Sequence, residues 1–110
     1  MKILLDECLP TEFRHYFPNH EVHSAEWAGL KGKKNGELIR GCEAGGYAVI
    51  LTIDQGIPFQ QQLAGRTLSF VVIRSRSGKI EALAPFVSVI ETALQTIAPG
   101  QVLIVESHGA

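Results

Sequence analysis

Five short apolar runs punctuate the chain, and each is separated from the next by breakers and, in most cases, by a stretch with helical spacing. Residues 3–5 are fully apolar, as a strand buried on both faces should be. "HEVHS" (20–24) is a weaker strand centred on Val22. Residues 47–53 form the clearest buried strand, "LSFVVIRS" (68–75) the next, and "QVLIVES" (101–107) the last. Between them lie the helices. Pro10 stands where a helix can begin, because a first-turn residue has no use for its N–H. Leu9, Phe13 and Tyr16 or Phe17 give that helix an apolar face, and Pro18-Asn19 ends it. Asn35 is a suitable N-cap for a second helix; Leu38, Ile39 and Cys42 mark its buried side and Gly45-Gly46 its stop. Residues 58–64 suggest a short third helix. Phe86, Val89, Ile90, Ala93, Leu94 and Ile97 follow the i, i+3, i+4, i+7 pattern of an amphipathic helix opened by Pro85 and closed by Pro99-Gly100.

The order β-α-β-α-β-α-β-α-β predicts an α/β fold: a three-layer α/β/α sandwich around a central, mostly parallel five-stranded sheet. An antiparallel last strand at one edge is allowed by this pattern. A chain of 110 residues is expected to form one domain, residues 1–110, and at this size roughly two-thirds of the unfolded surface is buried. Its apolar content of 45% and mean hydropathy of +0.13 exclude a disordered chain. The net charge of −1 favours neither nucleic acid nor membrane, so local charge placement must carry that question. No apolar run approaches the about 20 residues that span a bilayer. Met-Lys, three apolar residues and two acids do not make a secretory signal. Cys8 and Cys42 form no Cys-x-x-Cys; with apolar neighbours, both are expected to be reduced, buried and structural, in a cytoplasmic protein.

The only two aspartates, Asp6 and Asp54, each stand where an apolar run stops. In open α/β sheets, ligands bind beyond the carboxyl ends of the strands, where the strand order reverses. If the first and third strands are neighbours, both carboxylates reach one pocket. A single strand-end Asp ordinarily caps a turn. Two of them, with no other aspartate in the chain, argue for a shared site. Carboxylates held close repel, and a divalent cation removes that cost. Oxygen donors suit Mg²⁺ or Mn²⁺, either of which can activate a water for attack on a phosphoryl group. Glu37 is the candidate third acid, although the helix dipole alone favours Glu in a first turn. Glu7 is a candidate outer ligand; Glu12 is expected to be solvated.

Lys31, Lys33 and Lys34 lie just before Glu37, and Arg74 and Arg76 after the fourth strand, which suits a polyanionic substrate. An ordinary charged surface is the plain alternative. Trp27, the single tryptophan, is expected to plug the edge of the core, with base stacking as the other reading. His15, His20, His23 and His108 have no zinc-site spacing, and there is no Walker A loop or Gly-x-Gly-x-x-Gly.

Four stretches in this order and spacing, "KILLDECLP", "WAGLKGKKNGELI", "VILTIDQGIPFQQQLAGR" and "VVIRSRSGKIEALAPFV", resemble the PIN-like domains, in particular short bacterial proteins related to VapC-type toxins. The resemblance covers nearly the whole chain. It implies a metal-dependent ribonuclease, the toxin of a toxin–antitoxin pair, that cleaves RNA with Mg²⁺ or Mn²⁺ and activated water. Asp6, Glu37 and Asp54 would be its catalytic metal ligands, and a small antitoxin and a second copy of the chain its partners. The pattern departs from the family after Asp54: a fourth acid is common there, whereas no carboxylate follows until Glu81. Gln55 or Gln60 would have to serve through water. Two alternatives follow. One is a PIN fold that only binds RNA or a protein partner. The other is a receiver-like phosphoacceptor, with Asp6-Glu7, Asp54 and Ser75 in the expected places but no lysine in "QVLIVES".

Overall fold

Three of the strands are hidden from solvent on both sides, and that burial organises everything else. The computed structural model describes residues 1–54 and 63–106. In these residues β1 is Lys2–Leu5, β2 Glu21–Ser24, β3 Val49–Thr52, β4 Ser69–Ile73 and β5 Val102–Val105. All four pairings are parallel, in the order β2-β1-β3-β4-β5. The last strand therefore runs parallel to β4, not antiparallel. The segment before it supplies the reason: α2 (Ile80–Leu83), a 3₁₀ turn (Ala84–Phe86) and α3 (Val87–Thr96) carry the chain back to the starting end of the sheet, and such a crossover makes the next strand parallel.

Alternate residues of each strand enter opposite cores. Ile3, Leu5, Val49, Leu51, Val71 and Ile73 share one cluster with Phe13, Phe17, Leu83, Phe86, Ile90 and Leu94. Leu4, Ile50 and Phe70 share the other with Leu38, Ile39 and Cys42 of α1 (Asn35–Ala44). Every residue of β3 and β4 is buried, whereas the edge strands β2 and β5 are partly open. The continuous apolar runs thus belong to inner strands, as their composition requires.

The local differences from expectation have simple causes. The segment after Pro10 closes as a 3₁₀ helix, Thr11–Tyr16, with Phe13 and Phe17 buried and Tyr16 exposed. Lys34, not Asn35, is the N-cap of α1, and no side chain caps it. Gly45 ends that helix and Gly46 takes a φ of +79°. Pro85 lies in the 3₁₀ turn that leads into α3. After α3, Gly100 adopts a φ of +78°, and a Cβ there would lie 2.8 Å from the Leu63 carbonyl oxygen, so this turn needs glycine twice over. Of the proposed helix at 58–64, residues 58–62 lie outside the described residues, and Leu63 and Ala64 form a turn.

Ile50 is fully buried at the centre of the sheet. Ile50→Ala is expected to cost about 2–5 kcal/mol, read from urea unfolding at an unchanged m-value; a cost under about 1 kcal/mol would contradict this packing.

Candidate functional site

The strand register builds the site. Leu5 pairs with Leu51 across β1 and β3, and the Asp6 N–H donates to the Leu51 carbonyl at 3.0 Å. One residue further on, Asp6 therefore faces Thr52. The Thr52 hydroxyl donates to Asp6 Oδ2 at 2.7 Å, and the Asp54 N–H donates to Thr52 Oγ1 at 3.1 Å. A hydroxyl has one proton to give, so the direction is fixed: Asp54 backbone to Thr52, Thr52 to Asp6. Asp6 Oδ1 accepts the Glu7 N–H at 2.9 Å. Thr52 is completely buried and Asp6 partly so, while Asp54 and Glu7 are exposed. Thr52 was not among the residues singled out in the sequence. The signal was there, a lone polar residue two positions before Asp54 in an otherwise apolar strand.

Beyond these strand ends lies an open cavity of about 380 Å³. Asp6, Glu7 and Cys8 form one wall, Ile53 and Asp54 a second, and Lys33, Lys34 and Leu38 a third. Asp6 and Asp54 do meet in one place, at the carboxyl edge between β1 and β3, where the strand order reverses. Glu37 is not among the described lining residues. It stands exposed on the first turn of α1, with Oε2 3.5 Å from Lys33 Nζ. Glu7 Oε2 accepts the Gly32 N–H at 3.2 Å, which ties the lysine loop to the rim of the cavity.

The other basic candidates divide by position. Lys33 and Lys34 line the cavity. Lys31 pairs with Glu26 at 3.8 Å, and Arg74 pairs with Glu106 at the far side of β4. Arg76 is exposed in the loop after β4. Gln55, Gln60 and His108 lie outside the described residues. The remaining histidines turn elsewhere: His20 bonds Glu91 of α3 and His23 the Tyr47 hydroxyl, each at 2.8 Å, and His15 is exposed.

Two expectations are corrected. Cys8 is exposed, not buried, because it falls in the turn after β1 and not within the strand. Its sulfur sits 3.5 Å from Asp6 Oδ2 and 3.6 Å from Thr52 Oγ1. Loss of solvent around the sulfur raises its pKa above the ordinary thiol value; the Asp6 carboxylate adds to the rise, and contacts with the Ile53 backbone and the Thr52 hydroxyl oppose it. Cys42 is buried as expected, and burial pushes its thiol up to about 12. Trp27 is 70% exposed and plugs nothing. On the opposite side of Cys8, a Cβ on Gly78 would lie 2.8 Å from the Cys8 carbonyl oxygen, so the loop after β4 reaches this wall only as glycine.

Among the described residues, no three of His, Cys, Asp and Glu are grouped as a ready metal set. The donors do suit a hard cation in kind: Asp6 and Asp54 are oxygen donors on one cavity, and Mg²⁺ is commonly held by one or two carboxylates with several waters retained. No protein-family model, curated protein or solved structure matches the chain.

Thr52→Val keeps the shape and deletes the hydroxyl between Asp6 and Asp54. It is expected to cost about 1.5–3 kcal/mol in urea unfolding, as for a bond to a charged group; a neutral outcome would mean that the hydroxyl does not hold the two strand ends. Cys8 alkylation by iodoacetamide should be slow at neutral pH, because a raised pKa leaves less thiolate. Its rate should inflect above the about 8.5 of a free cysteine, and Asp6→Asn should move the inflection down. An inflection at or below the free value would overturn that assignment.

Proposed function

We propose that the protein is a metal-dependent endoribonuclease of the PIN-like type, a three-layer α/β/α domain that hydrolyses RNA phosphodiesters. The observation that carries the reading is the meeting of Asp6 and Asp54 on one cavity at the switch point of the sheet, faced by Lys33 and Lys34. Two acids alone describe a cation site; the lysines opposite them suit a ligand that brings its own negative charge.

In this reading Asp6 and Asp54 hold Mg²⁺ or Mn²⁺. When bound, such an ion supplies a water of lowered pKa and a Lewis acid for a phosphoryl oxygen. The chain's own residues do the rest. Thr52 orients Asp6 by donating to Oδ2 and leaves the backbone of Asp54 fixed against it. Outer partners of this kind are worth about 10–100-fold in metal affinity or activity. Lys33 and Lys34, beside the N-terminal end of α1, present positive potential to the flanking phosphates. Glu7 is held toward Gly32 and acts from the rim. Glu37, paired with Lys33 and outside the described lining, would hold the cation only if its side chain turned toward the cavity. The PIN resemblance further suggests a toxin of a cytoplasmic toxin–antitoxin pair, with a small antitoxin and a second copy of the chain as partners. Among the described residues no helix is long and apolar enough to cross a membrane.

A receiver-like phosphoacceptor is the second reading, favoured by one observation: the strand order 2-1-3-4-5 is that of flavodoxin-like and receiver folds. Two others oppose it. β5 is followed by Glu106, which pairs with Arg74, where a lysine would be needed. The Ser75 hydroxyl, in the place of the switch hydroxyl, donates to the Ser77 carbonyl at 2.8 Å.

Purified protein should cleave single-stranded RNA in Mn²⁺ and not in chelator, and beryllofluoride should leave it unchanged. Asp6→Asn and Asp54→Asn should each lower the rate by at least about 100-fold, the upper end of an outer-partner loss. Cleavage that persists in both variants would sink the proposal. Tight beryllofluoride binding that Asp54→Asn abolishes would establish the receiver.

A further inference from the structure

The most exposed large apolar side chain among the described residues is Trp27, and it is held in place. Its backbone N–H donates to Ser24 Oγ at 3.1 Å. Its ring stacks on His23, centroid to centroid 3.9 Å and 33° from parallel. His23 is fixed in turn: Nδ1 lies 2.8 Å from the Tyr47 hydroxyl and Nε2 3.3 Å from Glu21. One side of the indole is therefore backed by a clamped ring, while 70% of the residue stays in water. Its exposed surface contributes no burial energy to the fold, and a clamped, half-covered ring is what a stacking platform needs.

A groove of about 350 Å³ runs beside it, bordered by Trp27, His23, Ser24, Thr11 and Arg14. This size falls at the small end of ligand sites, about 300–1,000 Å³. Arg14, exposed and in no ion pair among the described residues, is the only lysine, arginine, aspartate or glutamate among the described residues that border the groove. The uncompensated charge at the groove is thus positive. Its place in the fold links it to the acidic cavity. Ser24 pairs with Leu5 across β2 and β1, so the turn carrying Trp27 leaves the same edge of the sheet as Asp6. The loop that starts with that turn passes Gly32, bonded to Glu7, and delivers Lys33 and Lys34 to the cavity.

We propose that Trp27, backed by His23, is a nucleobase-stacking subsite, with Arg14 meeting an adjacent phosphate, and that it holds a base of single-stranded RNA flanking the acidic cavity. The ligand class rests on the ribonuclease reading; the geometry of the platform does not. Stacking on aromatic side chains tolerates any base and is strong enough to dominate single-strand binding.

Trp27 is the single tryptophan, so its fluorescence reports the subsite directly. In chelator, where no hydrolysis occurs, oligoadenylate should quench it saturably, and an abasic oligonucleotide of equal length should not. By anisotropy of labelled oligoadenylate, Trp27→Ala should bind about 5- to 100-fold more weakly, and Trp27→Phe should retain most of the affinity. Arg14→Ala should reduce the salt slope by about one charge. Equal binding by wild type and Trp27→Ala, or quenching that does not require bases, would overturn the subsite. The two readings fail separately. Mn²⁺-dependent cleavage with an unchanged KM in Trp27→Ala would remove the subsite and leave the nuclease. Base-dependent quenching without any cleavage would remove the nuclease and leave the subsite.

Discussion

The bond from the Thr52 hydroxyl to Asp6 is the point on which the site depends. It is possible only because β1 and β3 are adjacent, parallel and in a register that sets Leu5 against Leu51. A slip of one residue would turn Asp6 toward the other core and bury a carboxylate among leucines, at a cost that no nearby cation could offset. The same hydroxyl accepts the Asp54 N–H. One buried side chain thus fixes the directions in which both strands leave the sheet, and those exits define the cavity between them.

The two cores explain why that register is stable. Leu4 and Ile50 point into one core, Ile3, Leu5, Val49 and Leu51 into the other. Neither strand can shift without exchanging both sets of contacts. The polar chemistry is thereby confined to the ends of strands whose middles have no freedom. Functional groups on such ends are positioned by the whole sheet, whereas those on the lysine loop are positioned by single contacts, such as the Gly32 N–H to Glu7.

This division also decides what could be read from the sequence. The inner strands were legible because burial on both faces leaves an unbroken apolar run, and α3 because one buried face imposes a 3.6-residue period. Asp6 and Asp54 were legible because they interrupt such runs. Thr52 was missed because its role appears only when β1 is laid beside it. Cys8 and Trp27 were misjudged for one shared reason: each lies in a turn, where neighbours in sequence say nothing about direction. Leu9 is buried next to an exposed Cys8, and Trp27, between Glu26 and Ala28, has no apolar period to place it in or out.

The electrostatics of the cavity separate the competing functions more sharply than the fold does. The strand order suits a phosphoacceptor as well as a nuclease, since both place acids at the same switch point. A phosphoacceptor must carry a phosphoryl group covalently on Asp54 and needs a cation on the β5 side to hold it. On that side Arg74 is already committed to Glu106, and Arg76 and Lys79, exposed in the loop after β4, are not among the described residues that line the cavity. The cations that line the cavity, Lys33 and Lys34, come instead from the α1 side, along the loop that also carries Trp27. Positive charge lining the cavity from that flank, beside an aromatic platform, suits the proposed ligand, one longer than a single phosphoryl group. That asymmetry, more than the acids themselves, is the support for the proposal that the substrate is a polynucleotide.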